Sequence, residues 1–160
     1  MKTIIIKNHL MVLVLFFSFV FVSCNQKTST PSKKEYEAIE KYLDNNVMET
    51  SYNGKIFSSH LIFMKQSDKI YLWAYMQEYY KREGKTHLGS GWSVPLILNI
   101  ENSAKGIIII GHKAPCDGEL YSKEIKELFP EKIQQQIFEF PGTQEMKKLE
   151  EISRKRSEKM

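Results

Sequence analysis

Residues 47–64, VMETSYNGKIFSSHLIFM, decide how this chain is read. Asn53-Gly54 suits the positive backbone angles of a tight turn, and it stands between two runs of strand-forming residues, 47–52 and 55–64. The pattern predicts a β-hairpin, and with it a sheet. Further strand-like runs follow at 70–80, 92–101 and 107–112, separated by QSDK, REGKTHLGSG and NSAKG, all rich in turn formers. An antiparallel meander of about five strands is the simplest topology.

The run at 70–80 places Tyr71, Trp73, Tyr75 and Tyr79 on one side of the pleat and Ile70, Leu72, Ala74 and Met76 on the other. Neither side is polar enough to face water, so this strand belongs in the middle of the sheet. The next run puts Trp92, Val94, Leu96, Leu98 and Ile100 on one face, and Pro95, which cannot donate to a ladder, predicts a bulge or an edge there.

Helices flank the sheet. Ser32 and Glu35 are spaced as a capping box, and Tyr36, Ile39, Tyr42 and Leu43 follow at helical spacing. After the strands, Ser122 is placed to cap a short helix through Phe129, and Pro130 ends it or starts the next, which carries Ile133, Ile137 and Phe138. Residues 143–160 read as a charged helix or tail, with Met146, Leu149 and Ile152 on one side. The expected class is α+β: one domain over residues 34–142, its sheet packed by an N-terminal helix and by C-terminal helices.

The amino-terminal 24 residues, MKTIIIKNHLMVLVLFFSFVFVSC, have the order of an export signal. Lys2 and Lys7 form a positive region, residues 10–22 an apolar run, and Val22-Ser23-Cys24 a small-residue cleavage site. The run is shorter than the roughly 20 apolar residues that span a bilayer. Its ending resembles the lipobox of bacterial lipoproteins, with Ser23 and Cys24 in place and Phe21 where leucine is usual. The resemblance implies cleavage after residue 23 and acylation of Cys24. The chain would then be held on the cell membrane or the outer membrane, facing the exterior or the periplasm, with residues 24–33 as lipid-attachment residue and tether. Each buried methylene of an acyl chain contributes about 0.8 kcal/mol, so two or three chains suffice without a transmembrane helix.

Loss of residues 1–23 takes away Lys2 and Lys7, so the 23 basic residues become 21 against 19 acidic ones and the net charge falls from +4 to +2. Residues 144–160 hold six positive and four negative groups, which leaves the body near neutrality. No strong basic face remains for nucleic acid, which is not an expected partner. With Cys24 acylated, Cys116 is the one remaining cysteine, and the fold must hold by its core.

Five groups of residues bear on possible chemistry. Tyr71, Trp73 and Tyr75 with Trp92 could form a platform for a ligand, although the same rings suit packing beneath helices. Cys116, with His112 or His60 as base, would make a cysteine-dependent envelope hydrolase, the alternative to a binding role. His60, His87 and His112 lie too far apart in sequence for ligand spacing, so no metal site and no cofactor are expected. Glu78, Glu83, Asp117 and Glu119 lie on different elements, and Gly89-Ser90-Gly91 runs into a strand rather than a helix, which excludes a phosphate cradle.

Together, YLWAYMQEYY, GSGWSVP and APCDGELYSKEIKELFP over residues 47–130 resemble a small domain of uncharacterised exported or membrane-attached bacterial proteins. That resemblance implies a single compact domain and no catalytic residue. The expectation is a lipid-anchored envelope protein with a non-catalytic module. It would bind a protein partner or a small ligand through the sheet or the loop from Gly89 to Trp92.

Overall fold

A computed structural model of the chain describes residues 31–104 and 106–160. The leader, Cys24 and most of the tether lie outside the described residues. The order is α1 (Lys33–Asn46), β1 (Lys55–Lys65), β2 (Lys69–Arg82), β3 (Lys85–Ser103), β4 (Gly106–Lys113), α2 (Tyr121–Leu128), α3 (Glu131–Glu139) and α4 (Gln144–Ser157). The strands form one antiparallel sheet in the order β1-β2-β3-β4, a meander.

The class is α+β as expected, with four strands rather than five. Residues 47–52 do not form a strand. Asn53 does adopt a positive φ of 53°, but the turn it makes folds over the side chain of Glu78 instead of pairing two strands. The tight hairpin turn lies elsewhere: Glu83 and Gly84 have φ of 53° and 72° between the paired residues Arg82 and Lys85. Residues 85–91, expected to be a loop, therefore extend β3.

Both faces of the sheet are covered, each by residues of one parity. Ile70, Leu72, Ala74 and Met76 of β2 and Val94, Leu96, Leu98 and Ile100 of β3 pack against Ile39 and Leu43 of α1. On the opposite face Tyr71, Trp73 and Ile97 pack against Ile125 of α2, Ile133 and Ile137 of α3, and Met146 and Leu149 of α4. Burying a side chain of this size contributes about 1.5–3 kcal/mol, so the alternation along β2 and β3 alone accounts for a three-layer arrangement. Pro95 pairs with Trp73 of β2, while the register with β4 begins at Ile97, so proline sits where β3 is locally an edge.

Local chemistry sets the helix ends. The Ser32 hydroxyl accepts from the Glu35 amide at 3.3 Å and the Glu35 carboxylate accepts from the Ser32 amide at 2.8 Å, the reciprocal box that the spacing predicts. Helix α2 starts at Tyr121 after a short 3-10 turn, so Ser122 lies inside it rather than capping it. Residues 143–160 form α4, capped by the Thr143 hydroxyl at the Met146 amide (3.2 Å). Its inner side is Met146, Leu149, Ser153 and Ser157, while Ile152 is exposed.

Glu78, fully buried at the end of β2, organises the adjoining loops. Its carboxylate accepts from the amides of Ser51 (2.9 Å), Tyr52 (2.9 Å), Gly54 (2.9 Å) and Ser90 (3.1 Å). Gly89 and Ser90 bulge opposite it, since Gln77 pairs with Gly91 and Tyr79 with Leu88. A Cβ on Gly89 would collide with the Glu78 carboxylate. Glu78→Gln turns one acceptor into a donor facing amides and should cost about 3 kcal/mol. Urea unfolding of the variant checks this, and a loss under about 1 kcal/mol would mean that water replaces the carboxylate.

Candidate functional site

The aromatic platform is divided by the sheet. Tyr71 and Trp73 are buried under α2–α4, where Tyr71 meets Phe129 edge-on and Trp73 lies 5.0 Å from the Phe140 ring. The Trp73 indole donates to the Ser93 hydroxyl at 2.9 Å, which satisfies its polar tip. Tyr75 is half-buried on the same face. Trp92 pairs with Met76 and packs on the α1 face instead. These four residues therefore do not share a surface.

The loop from Gly89 is held from both faces. While Glu78 takes the Ser90 amide, the Gln77 side chain donates to the carbonyls of Gly89 (3.0 Å) and Ser90 (3.1 Å). A Cβ at position 91 would stand 2.6 Å from the Gln77 side-chain oxygen, so that side chain would have to shift. This segment is a fixed bulge of β3.

Cys116 is exposed just after β4, and its amide donates to the Glu124 carboxylate at 2.7 Å. The thiol's hydrogen bond to Glu124, together with that side chain's charge, pushes its pKa up, opposite to what a nucleophile needs. Of the two candidate bases, one is engaged elsewhere and the other is distant. His112 Nδ1 hydrogen-bonds the Tyr42 hydroxyl at 3.0 Å, and His60 lies on β1, at the far side of the sheet. Cys116 should therefore react with a disulfide reagent more slowly than free cysteine at pH 7, and Glu124→Gln should speed it. Faster reaction than free cysteine would reinstate the nucleophile.

His60 is 2% exposed, stacked on the Tyr36 ring at 4.1 Å, with neither ring nitrogen hydrogen-bonded among the described residues. Burial, and then the nearby Arg156 charge, push its pKa down to about 3. The folded state keeps it neutral while the unfolded chain protonates near 6.5, so its contribution is complete above that value and is lost as pH falls toward 3. The loss has a ceiling of roughly 5 kcal/mol. In Glu78, burial pushes the carboxyl up and the four amides outweigh it, leaving the pKa below the usual value. Its stabilisation is lost only below the ordinary carboxylate range. His60→Leu should flatten stability between pH 6.5 and 4.5 and leave the lower loss, as denaturant midpoints across pH would show. An unchanged slope would assign the acid sensitivity to another group.

The two edges of the sheet differ. At β1, the Ser58 amide donates to Asp44 at 2.7 Å, Arg156 donates to the Ser58 carbonyl, the Ser153 hydroxyl donates to the Phe57 carbonyl at 2.7 Å, and the Tyr36 hydroxyl to the His60 carbonyl at 3.1 Å. Arg156 also binds Asp44 at 2.7 Å, which ties α4 to α1 around the strand. At β4, among the described residues, no side chain takes up a backbone group of residues 107–113. Ile108 and Ile110 are 52% and 59% exposed. Ile110 is the extra residue of a bulge, as Asn99 pairs with Gly111 and Ile100 with Ile109. Beside this edge runs a groove of about 460 Å³ between α1 and β4, lined by Ala38, Lys41, Tyr42, Asn45 and residues 107–109.

A larger concavity, about 610 Å³, lies where α1 ends and β1 begins, but its inner carboxylate, Asp44, is already taken by Arg156 and Ser58. Among the described residues no three His, Cys, Asp or Glu side chains gather to hold a metal ion, and no helix is long and apolar enough to cross a membrane. No family model, no curated protein and no solved structure matches the chain.

The chemistry of the β4 edge was only partly visible beforehand. The run GIIIIGHK signals a strand, and its place as the last strand before the helices signals an edge. That the opposite edge is closed depends on Arg156 and Ser153, about 100 residues from β1 in sequence.

Proposed function

We propose that this chain is a lipid-anchored protein of a bacterial cell envelope whose domain is non-catalytic and binds a partner protein through the free edge of β4. The observation that carries the binding reading is the contrast between the edges. Natural sheets blunt exposed edges because unpaired amides and carbonyls recruit another strand. Among the described residues four side chains close β1, while β4, apolar over residues 106–111, is left uncovered beside a groove.

Anchoring rests on Lys2, Lys7, the apolar run and Cys24 in their order. An acylated Cys24 places the domain at the membrane through a tether of some ten residues, where a binding edge meets other envelope proteins. Cys116, with Glu124 beside it, His112 bonded to Tyr42 and His60 on the distant strand β1, lacks the arrangement a hydrolase needs.

Growth of bacteria expressing the chain with an alkyne-bearing palmitate tests the anchor. The wild type should carry the label and sediment with membranes, and Cys24→Ala should lose both. A labelled Cys24→Ala variant, or an unlabelled wild type, would remove the lipoprotein reading. For the edge, a photo-crosslinking residue at position 110 should trap a discrete partner in the envelope while one at Lys55 does not. Equal trapping from both positions would contradict a β4 site.

A further inference from the structure

We propose that the free edge of β4 takes an extended acidic peptide segment as a fifth strand, with its carboxylate side chains on the α1 side and its apolar side chains on the other. This rests on the reading above that β4 is the binding edge, and it names the kind of segment that edge fits. Three observations converge on it.

The first is the backbone. The side of β4 away from β3 presents amides and carbonyls in strand spacing, and only an extended chain matches a row of alternating donors and acceptors. The bulge at Ile110 interrupts that row, so the regular pairing stretch is Gly106 to Ile109 with a second short stretch beyond it. A short linear segment fits such an edge better than a long strand.

The second is the distribution of charge around α1. Three of its four acids face the other way: Glu35 is paired with Lys65, and Glu40 and Asp44 with Arg156, all on the β1 side, while Glu37, exposed one turn before Lys41, pairs with Lys33. The β4 side carries Lys41 with the amides Asn45 and Asn46. Among the described residues lining the groove there is no carboxylate. Positive charge and amide donors over an apolar floor of Ile107 and Ile109 suit glutamate or aspartate, whose stems cover the floor while the heads reach Lys41.

The third is the other face. Ile108, paired with Glu101, points away from α1 and is left open along with Ile110. Alternate residues of an added strand would lie beside them, and burial favours valine or isoleucine there. The favoured pattern is thus acid and apolar in alternation. A second copy of this chain is a poorer occupant, because antiparallel pairing of β4 with itself brings two α1 helices together across the seam and sets Lys41 toward its own symmetry mate.

The test is an NMR titration of the full chain in detergent, with acetylated, amidated heptapeptides of alternating Glu and Val, alternating Lys and Val, and the Glu-Val peptide N-methylated at alternate residues. The acidic peptide should shift the amides of residues 106–113 in a saturable way. The basic peptide should bind at least about tenfold more weakly and the N-methylated one should not bind. Lys41→Glu, an exposed change, should reverse the order of the peptides. Equal binding of both peptides at β4 would overturn the acidic occupant and leave the edge reading standing. Shifts confined to other elements would overturn both. Movement of β4 amides with protein concentration alone would give the edge to a second copy and overturn the proposal.

Discussion

A four-stranded sheet with two unlike edges is the constraint on which the molecule depends. β2 and β3 are apolar on both faces, so they must lie inside and be roofed on both sides, and that leaves β1 and β4 to meet the solvent. At β1 the roofs close around the strand: Asp44 descends from α1, Arg156 and Ser153 from α4, and together they take the amide and carbonyls that a free edge would expose. The ion pair is partly buried, so its net contribution to stability is modest, and its larger effect is to exclude a foreign strand. At β4, among the described residues, nothing comparable happens.

Glu78 supplies the second constraint. A carboxylate on the core-facing register of β2 is tolerable only because four amides converge on it, and those amides come from the segment before β1 and from the bulge of β3. One buried charge thereby holds two loops that would otherwise be free, and glycine at 89 and 54 is the condition for their close approach. The segment that precedes β1 is therefore a clamp around a side chain rather than a strand. The His60 ring, by contrast, is a core group with no hydrogen bond among the described residues, and it makes the α1–β1 contact sensitive to mild acid.

What could be read from the sequence was what local periodicity determines. The alternation along residues 70–76 and 92–100 assigns both faces correctly, and the Ser32–Glu35 box marks the first turn of α1. The missing strand was not legible, because Asn53-Gly54 makes a turn whether its amides meet a strand or a carboxylate. A signal was available: Glu78 continues the register of Met76, so it had to face the core and find donors. The hairpin at Glu83-Gly84 carried its own two-residue turn, overlooked within a run of other turn formers. The aromatic platform failed for a longer-range reason, since only the pairing of Trp92 with Met76 shows that this ring lies on the opposite face from Trp73. The open edge was foreshadowed by four consecutive isoleucines, while the closed one needed side chains from the far end of the chain.

Amide hydrogen exchange of the isolated protein, read residue by residue, tests the unlike edges most directly. The Ser58 amide, held by Asp44, should exchange slowly, and alternate amides along residues 107–113 should exchange far faster than those of β2 and β3. Uniformly slow exchange along β4 at high dilution, or rapid exchange at Ser58, would contradict the account.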